Sequence, residues 1–559
     1  MRQRSFQALT STLAFAALLV GCAAPTSTQR PSGPVQVKVL AINDFHGNLR
    51  PASGGIRIKD PNDPSKTVVV PAGGAEHLAT AVALLRAKNP NHIFVAAGDL
   101  IGATPLLSAL FRDEPTIEAM DLIGLEVSAV GNHEFDKGVD ELLRMQRGGC
   151  NPSDGCKGPV PFKGAKFKYL AASTVVDATG QTLLPAYHVK TFQGIPVAFI
   201  GLTLKDTPTI VVPEGVRGLS FRDEAETVNQ LVPRLKQQGI EAIVLLIHEG
   251  GMPSGDYNEC PGISGPIVEI VKKLDKAVDV VISGHTHRAY NCRIDGRLVT
   301  SADKYGTVVT EIDLTLDPKT GDVIDARADN LIVRSTSFAK DPRLSQLIET
   351  YERLVAPLAK RVVGRIAAPL PRDAAANGES VLGQVIADAQ LAATREFGAQ
   401  LALMNPGGIR AALGRPGDDQ VRYEDLFAVQ PFYNNLVTMT LSGAQLVQLL
   451  EQQWLNQPTP AGRVLGISAG FGYSWDAARP AGQRVLADSL RLNGQPIAPD
   501  ARVRLTVNSF LASGGDNFSM LRQGSERRTG AMDVDAFEMH VKANPTLAPG
   551  PLNRIARLN

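Results

Sequence analysis

Five apolar runs before residue 290 each end in a side chain able to bind a metal. "VKVLAIND" ends in Asp44, with His46 two residues on, and "IFVAAGD" ends in Asp99. "VSAVGNHE" ends in Asn132 and His133, "AIVLLIHEG" in His248, and "VVISGHTH" in His285 and His287. One histidine at a strand end is ordinarily a hydrogen-bonded structural residue. Five runs in a row, mostly punctuated by glycine, constrain the fold. In an α/β sheet the ligand crevice lies beyond the carboxyl ends of the strands, so this pattern delivers all of these groups to one edge. Five of the nine histidines belong to the set. His77, His92, His188 and His540 fall outside it and read as structural or solvent-facing.

The ligand types narrow the chemistry. Carboxylates, one amide and neutral imidazoles, without thiolate, suit Zn, Mn, Co or Fe rather than Ca. Asp44, His46, Asp99, Asn132, His248, His285 and His287 exceed the needs of one tetrahedral site. They suit two divalent metal ions sharing a carboxylate, about 3.5–4 Å apart in such centres. Adjacent cations hold a hydroxide at neutral pH and clamp a phosphate. Glu134, inside "GNHEFD", reads as a local structural residue.

Between the ligand-bearing runs lie helical stretches such as "EHLATAVALLRAK" and "DEAETVNQLVPRLKQQG". The alternation predicts a layered α/β domain over residues 35–337. Residues 338–363 read as a linking helix: Asp341 can cap it and Pro342 suits its first turn. A second α/β unit follows over 364–559, with "VLGQVIADAQLAATREFG" as a helix and "LALMNPGGIRAAL" as a strand entering a Gly-rich loop. The charges sum to +1 and are interspersed, which argues against a groove for a nucleic-acid polymer or a polybasic membrane patch.

The N-terminus bounds where the chemistry happens. Arg2 and Arg4 precede an apolar stretch over residues 6–20, too short to span a bilayer comfortably. Residues 1–21 are therefore expected to be a signal peptide. "LVGC" resembles the lipobox of bacterial lipoproteins, which makes Cys22 the lipidated residue. A simple cleavage at "GCAA" is the alternative. Residues 22–34 form a Pro/Ser/Thr-rich tether. The expected location is the periplasm or cell envelope, lipid-anchored, with Ala23 favouring the outer membrane. Cys150, Cys156, Cys260 and Cys292 remain. In an oxidising compartment two disulfides are the default; four cysteines allow three pairings, and the short loop favours Cys150 with Cys156. A four-Cys zinc site is the rival, although neither pair has C-x-x-C spacing.

"NDFHG", "GD", "GNHEFD", the lone His248 and "GHTH", in this order, resemble the calcineurin-like metallophosphatase domain. "NPGGIR", "PF" at 431–432 and "SFLASGGDNF" resemble the C-terminal domain of the 5′-nucleotidase family. The resemblance covers essentially the whole mature chain and implies a four-layer α/β/β/α sandwich followed by an α/β substrate-binding domain. Position by position, it assigns Asp44, His46 and His287 with bridging Asp99 to one metal, and Asn132, His248 and His285 with Asp99 to the other. His133 and Asp136 match the catalytic dyad. Asn405, Arg410, Phe432, Phe510 and Asp516 match residues that contact a nucleotide, the two rings sandwiching its base. "LPRDAAANGES" departs from the family pattern, and the role of Arg372 there is open. The expectation is a 5′-nucleotidase. The alternatives are a UDP-sugar or 2′,3′-cyclic-nucleotide hydrolase, a thiosulfate-ester hydrolase, or a non-catalytic nucleotide-binding or adhesion lipoprotein. The oligomeric state is not legible.

Overall fold

The computed structural model describes residues 31–559, apart from 53, 415, 416, 458–460 and 545. The signal peptide, Cys22 and most of the tether lie outside the described residues.

Two six-stranded sheets form the centre of the first domain. In one, Val35–Ile42 runs parallel to His92–Ala96, which is followed by Val127–Ala129 and Lys168–Leu170. On its other side Val308–Leu316 and Val323–Ile332 are antiparallel. In the second, Ile195–Thr203, Ala242–His248, Val280–Ser283 and Arg297–Ala302 are parallel, with antiparallel edges Tyr187–Phe192 and Ala289–Ile294.

The sheets pack face to face. Val37, Val39, Ile93 and Val95 meet Val197, Phe199, Val244 and Leu246 in one core. Helices Ala75–Arg86 and Glu114–Ile123 cover the first sheet through Leu78, Val82, Ile117 and Met120. Glu224–Gln237 and Pro266–Lys273 cover the second through Val228, Leu231, Ile267 and Val271. This burial on both faces is why the strands are continuous apolar runs rather than alternating ones. The order is the four-layer α/β/β/α sandwich. The expected strand over 125–130 shortens to Val127–Ala129, because the chain turns at Gly131 to present Asn132.

Helix Pro342–Ala359 starts where Asp341 accepts from the Arg343 backbone N–H at 2.8 Å. Its Tyr351, Val355 and Ala359 share one core with Leu106 and Phe111 of the first domain and Val363 and Leu426 of the second. The second domain is built on a five-stranded sheet in the order Gly466–Ile467, Leu401–Met404, Arg502–Asn508, Asn435–Ser442 and Ser525–Met532. Helices Val381–Thr394 and Asp533–Ala543 join the core shared with the linking helix, and Gly443–Glu451 packs against a separate core. Cys150 pairs with Cys156 and Cys260 with Cys292. No helix among the described residues is long and apolar enough to cross a membrane.

Candidate metal centre and substrate cleft

The strand ends of both sheets of the first domain converge on one edge. His46 Nε2 lies 3.1 Å from His287 Nε2, 3.8 Å from Asp44 Oδ1 and 3.7 Å from Asp99 Oδ2. Asp44 Oδ1 is 3.2 Å from His287 Nε2. On the other side of Asp99, its Oδ2 is 2.9 Å from His248 Nε2, and Asn132 Oδ1 is 3.0 Å from His285 Nδ1. Asp99 Oδ2 thus faces both halves. Three nests of ligand atoms result, Asp44–His46–His287, Asp99–His248–His285 and, drawing in His133, His46–Asp99–His133, each with all its atoms within 4.8 Å of one another. Asp44, His46, Asp99, Asn132 and His248 are buried; His285 and His287 are half-buried.

Surrounding carbonyls fix the imidazoles. His46 Nδ1 donates to the Gly102 carbonyl at 2.7 Å and His248 Nδ1 to that of Ala97 at 2.8 Å. Each leaves Nε2 aimed inward, the arrangement a metal-binding histidine needs. Burial disfavours the cationic ring and holds His285 at about 3 and His287 at about 4, so both are neutral at pH 7. For Asp44, burial opposes ionisation but His287 outweighs it and keeps the carboxyl at about 2. His248 goes the other way. Burial lowers it, yet the Asp99 charge raises it to about 10, so metal loading there releases a proton.

Two observations fit cations to this set. Asp44 Oδ1 and His248 Nε2 are buried, make no well-formed hydrogen bond, and face only other atoms of the cluster, His287 Nε2 at 3.2 Å and Asp99 Oδ2 at 2.9 Å; buried polar atoms turned on one another in this way require a reason, and a shared cation would supply one. The backbone is also strained where the ligands sit. Asp44, His46, Asp99, His285 and His287 have φ of 50°, 46°, 51°, 70° and 54°, a left-handed conformation that non-glycine residues adopt only when their surroundings enforce it.

Part of that enforcement comes from Glu134, read from the sequence as a local structural residue or a partner that supports the ligands. The Glu134 carboxylate accepts backbone N–H groups from Gly131 (2.6 Å), Asp99 (3.0 Å), Leu100 (2.8 Å) and Ile101 (3.4 Å). It ties the Asp99 loop to the Asn132 loop. Gly131 allows their approach: a Cβ there would lie 2.1 Å from Asp99 Oδ1. Asn43 acts similarly, donating to Asp44 Oδ2 at 2.7 Å and accepting the Ala302 N–H at 2.6 Å. Beside the centre, His133 Nδ1 bonds Asp136 Oδ2 at 2.7 Å, and its backbone N–H donates to Asp99 Oδ1 at 2.9 Å. Burial opposes protonation of His133, but the Asp136 and Asp99 charges prevail and raise it.

The second domain closes over this edge. Asn405 Nδ2 donates to Asp516 Oδ2 at 2.7 Å, and its Oδ1 accepts from Asn508 Nδ2 at 2.9 Å. Asp516 Oδ1 pairs with Arg463 at 2.8 Å. Nothing in the sequence around Arg463 signalled it. Phe432 stacks parallel to His133, centroids 6.0 Å apart, with the Arg410 guanidinium 6.0 Å from the same ring. The Phe510 ring lies against Gly515, where a Cβ would come within 2.4 Å of it. His133, Asp136, Asn132 and His285 therefore line the same cleft as Asn405, Arg410, Phe432, Phe510 and Asp516, which encloses about 820 Å³ and is partly open to solvent. Arg372 donates to the Arg410 carbonyl at 2.7 Å rather than entering this cleft.

Residues 37–289 match the calcineurin-like phosphoesterase family and residues 362–523 the 5′-nucleotidase C-terminal domain. An endonuclease of Bacillus subtilis is 33% identical over 516 residues, 92% of this chain but 40% of its own length. A cell wall protein of Listeria monocytogenes is 30% identical over 575 residues, 96% of this chain and 71% of its own length. Among solved structures, a 5′-nucleotidase precursor from Thermus thermophilus superposes with a TM-score of 0.76 at 27% identity, covering 94% of this chain and 100% of that one. The chain belongs to the 5′-nucleotidase family of metallophosphoesterases, a calcineurin-like domain joined to the family's C-terminal domain.

Proposed function

We propose that this chain releases phosphate from nucleoside 5′-monophosphates outside the cytoplasm. The observation that carries the reading is the single cleft shared by the ligand cluster of one domain and two half-buried phenylalanines of the other. Asp44, His46, His287 and Asp99 would hold one divalent ion, and Asn132, His248, His285 and Asp99 the second. Two such ions supply Lewis-acid polarisation of a phosphate and a nucleophile at neutral pH. The chain's own groups do the rest. With Nδ1–H donated to Asp136, whose charge together with that of Asp99 favours the protonated ring, His133 as the imidazolium offers Nε2–H as the donor to charge developing on a phosphate oxygen. The Arg410 fork suits phosphate oxygens. Phe432 and Phe510 offer ring faces to a base, and Asn405 and Asp516 offer polar atoms to the nucleoside. Zn, Mn, Co and Fe all suit these ligands. Export rests on the signal-like residues 1–21, anchoring rests on Cys22, and the cell wall relative is consistent with export.

A second reading is a phosphodiesterase acting on UDP-sugars, cyclic nucleotides or short oligonucleotides. The endonuclease relative favours it, although more than half of that protein lies outside the matched stretch. A hydrolysis screen separates the two when it is read by chromatography of the nucleotide products as well as by phosphate release, because a diester cleaved once yields a monoester and no orthophosphate. AMP, UDP-glucose, a 2′,3′-cyclic nucleotide, a short single-stranded oligonucleotide and an aryl phosphate are each supplied with Mn, Zn and Co in turn. Highest kcat/KM on AMP is expected. Turnover of diesters with AMP inert would transfer the assignment to the second reading.

A further inference from the structure

The second domain carries another cavity, on the opposite side of the "NPGGIR" loop from the substrate cleft. Pro406 and Ile409 of that loop face it, while Asn405, Gly407 and Gly408 face the cleft. Its volume is about 450 Å³, and it is partly open to solvent. Arg372, Arg463, Arg484 and Arg557 line it, and no carboxylate does among the described residues.

The partners of these arginines leave positive charge over. Arg463 is paired with Asp516. The other three bond backbone carbonyls: Arg372 that of Arg410 (2.7 Å), Arg484 that of Arg479 (3.0 Å) and Arg557 that of Ala376 (3.0 Å). The fourteen-residue helix Val381–Thr394 also opens here, with its cap Ser380 and its Gly383 in the wall. A helix N-terminus adds partial positive charge, although its first-turn N–H groups are engaged, Leu382 by the Pro371 carbonyl, Gly383 by Ser380 Oγ and Gln384 by the Ser380 carbonyl. Trp454, 6% exposed, lines the same space, and its indole N–H is buried without a hydrogen-bond partner. Arg484 lies 5.5 Å from the Trp454 ring and Arg557 5.4 Å from that of Trp475. A guanidinium thus already covers one face of each ring, and the donors the cavity offers are the remaining N–H groups of the arginines.

Three arginines that meet no acidic side chain among the described residues and a helix N-terminus share one complement. We propose that this cavity is a binding site for a linear oligophosphate, such as the phosphate chain of a nucleoside triphosphate or inorganic tripolyphosphate. Arginine forks suit successive phosphate groups, and the volume exceeds what orthophosphate fills. Arg463 couples the site to the cleft. It lines both, and a phosphate competing for its guanidinium loosens Asp516, which positions Asn405. The site stands whichever phosphate ester the cleft hydrolyses.

The chain has two tryptophans, Trp454 and Trp475, and both line this cavity. Intrinsic tryptophan emission therefore reports on it without a label. The metal-loaded protein is titrated with inorganic tripolyphosphate at constant ionic strength, alongside Arg484→Gln/Arg557→Gln. The expected result is a saturable emission change in the wild type. In the variant it is weakened at least about tenfold, the weight of one lost charge-assisted hydrogen bond, while kcat on the best screened substrate is unchanged. Calorimetry should find a corresponding binding event that survives saturation of the cleft with a nucleotide analogue. No saturable change, equal binding by the variant, or binding that the analogue abolishes would each overturn the proposal. Should the double variant fail to fold, Arg557→Gln alone, at an exposed position, is held to the same criteria.

Discussion

Phe510→Ala separates a nucleotide clamp from ordinary packing. The ring is half-buried, rests on the Gly515 backbone and lines the cleft opposite the metal edge. None of the hydrogen bonds that hold Asp516, Asn405 and Arg463 passes through it. Truncation should therefore remove a stacking face and leave the polar network standing. Base–aromatic stacking is worth roughly 1–3 kcal/mol by alanine substitution. At 1.36 kcal/mol per decade, kcat/KM for AMP should fall roughly 5- to 150-fold. An aryl phosphate without a nucleobase reaches the ligand cluster and His133 without needing the clamp, so its kcat/KM should fall much less. The quantity to measure is the ratio of the two losses, by continuous phosphate release with the metal held at saturation. Phe432→Ala is a poorer probe, because that ring stacks on His133 and its loss should depress both substrates. If Phe510→Ala lowers both equally, the ring is a packing residue and the nucleotidase assignment retreats to a phosphohydrolase of another substrate.

Asp99→Asn should nearly abolish turnover and reduce bound metal, because its carboxylate faces both halves of the ligand cluster; full metal content with full activity would exclude the bridging role. His133→Ala should lower kcat by roughly 10²–10⁴ with metal content unchanged by elemental analysis, and loss of metal along with activity would recast His133 as a ligand. Glu134→Gln should destabilise the fold by roughly 2–6 kcal/mol, since the amide NH₂ then opposes two of the four backbone donors at about 1–3 kcal/mol each; an unshifted melting temperature would refute the tying role. Cys22→Ser should move the protein from the membrane to the soluble fraction or leave the precursor uncleaved, and a wild-type mature protein that begins elsewhere and is soluble would end the lipoprotein reading.

The central strands were legible because they are buried on both faces. Ala242–His248 is apolar up to its final histidine, Val35–Ile42 is apolar apart from Gln36 and Lys38 near its start, and the ends of both carry residue types with few uses other than ligation. The hairpin Ile56–Asp60 and Asp63–Val70 was not legible. Pro61 and Pro64 lie at its turn, its second strand is largely exposed, and a bulge between Lys59 and Asp60 breaks the register, so no apolar period survives to be read. The supports of the metal edge were hidden for a different reason. Asn43, Glu134 and Arg463 act by satisfying other groups, and any asparagine, glutamate or arginine has that capacity; only coordinates show which donors face them. The left-handed ligands make the point sharper. Five residues in that conformation store roughly 1–3 kcal/mol each, a load comparable with the whole stability of a typical domain, about 5–15 kcal/mol. The ligands cannot sustain it alone while their charges remain unneutralised. The four N–H groups gathered by Glu134 and the two bonds that Asn43 makes to Asp44 and Ala302 hold the loops in place instead. The Asp44 and Asp99 corners of the edge are thus braced by side chains outside the ligand set.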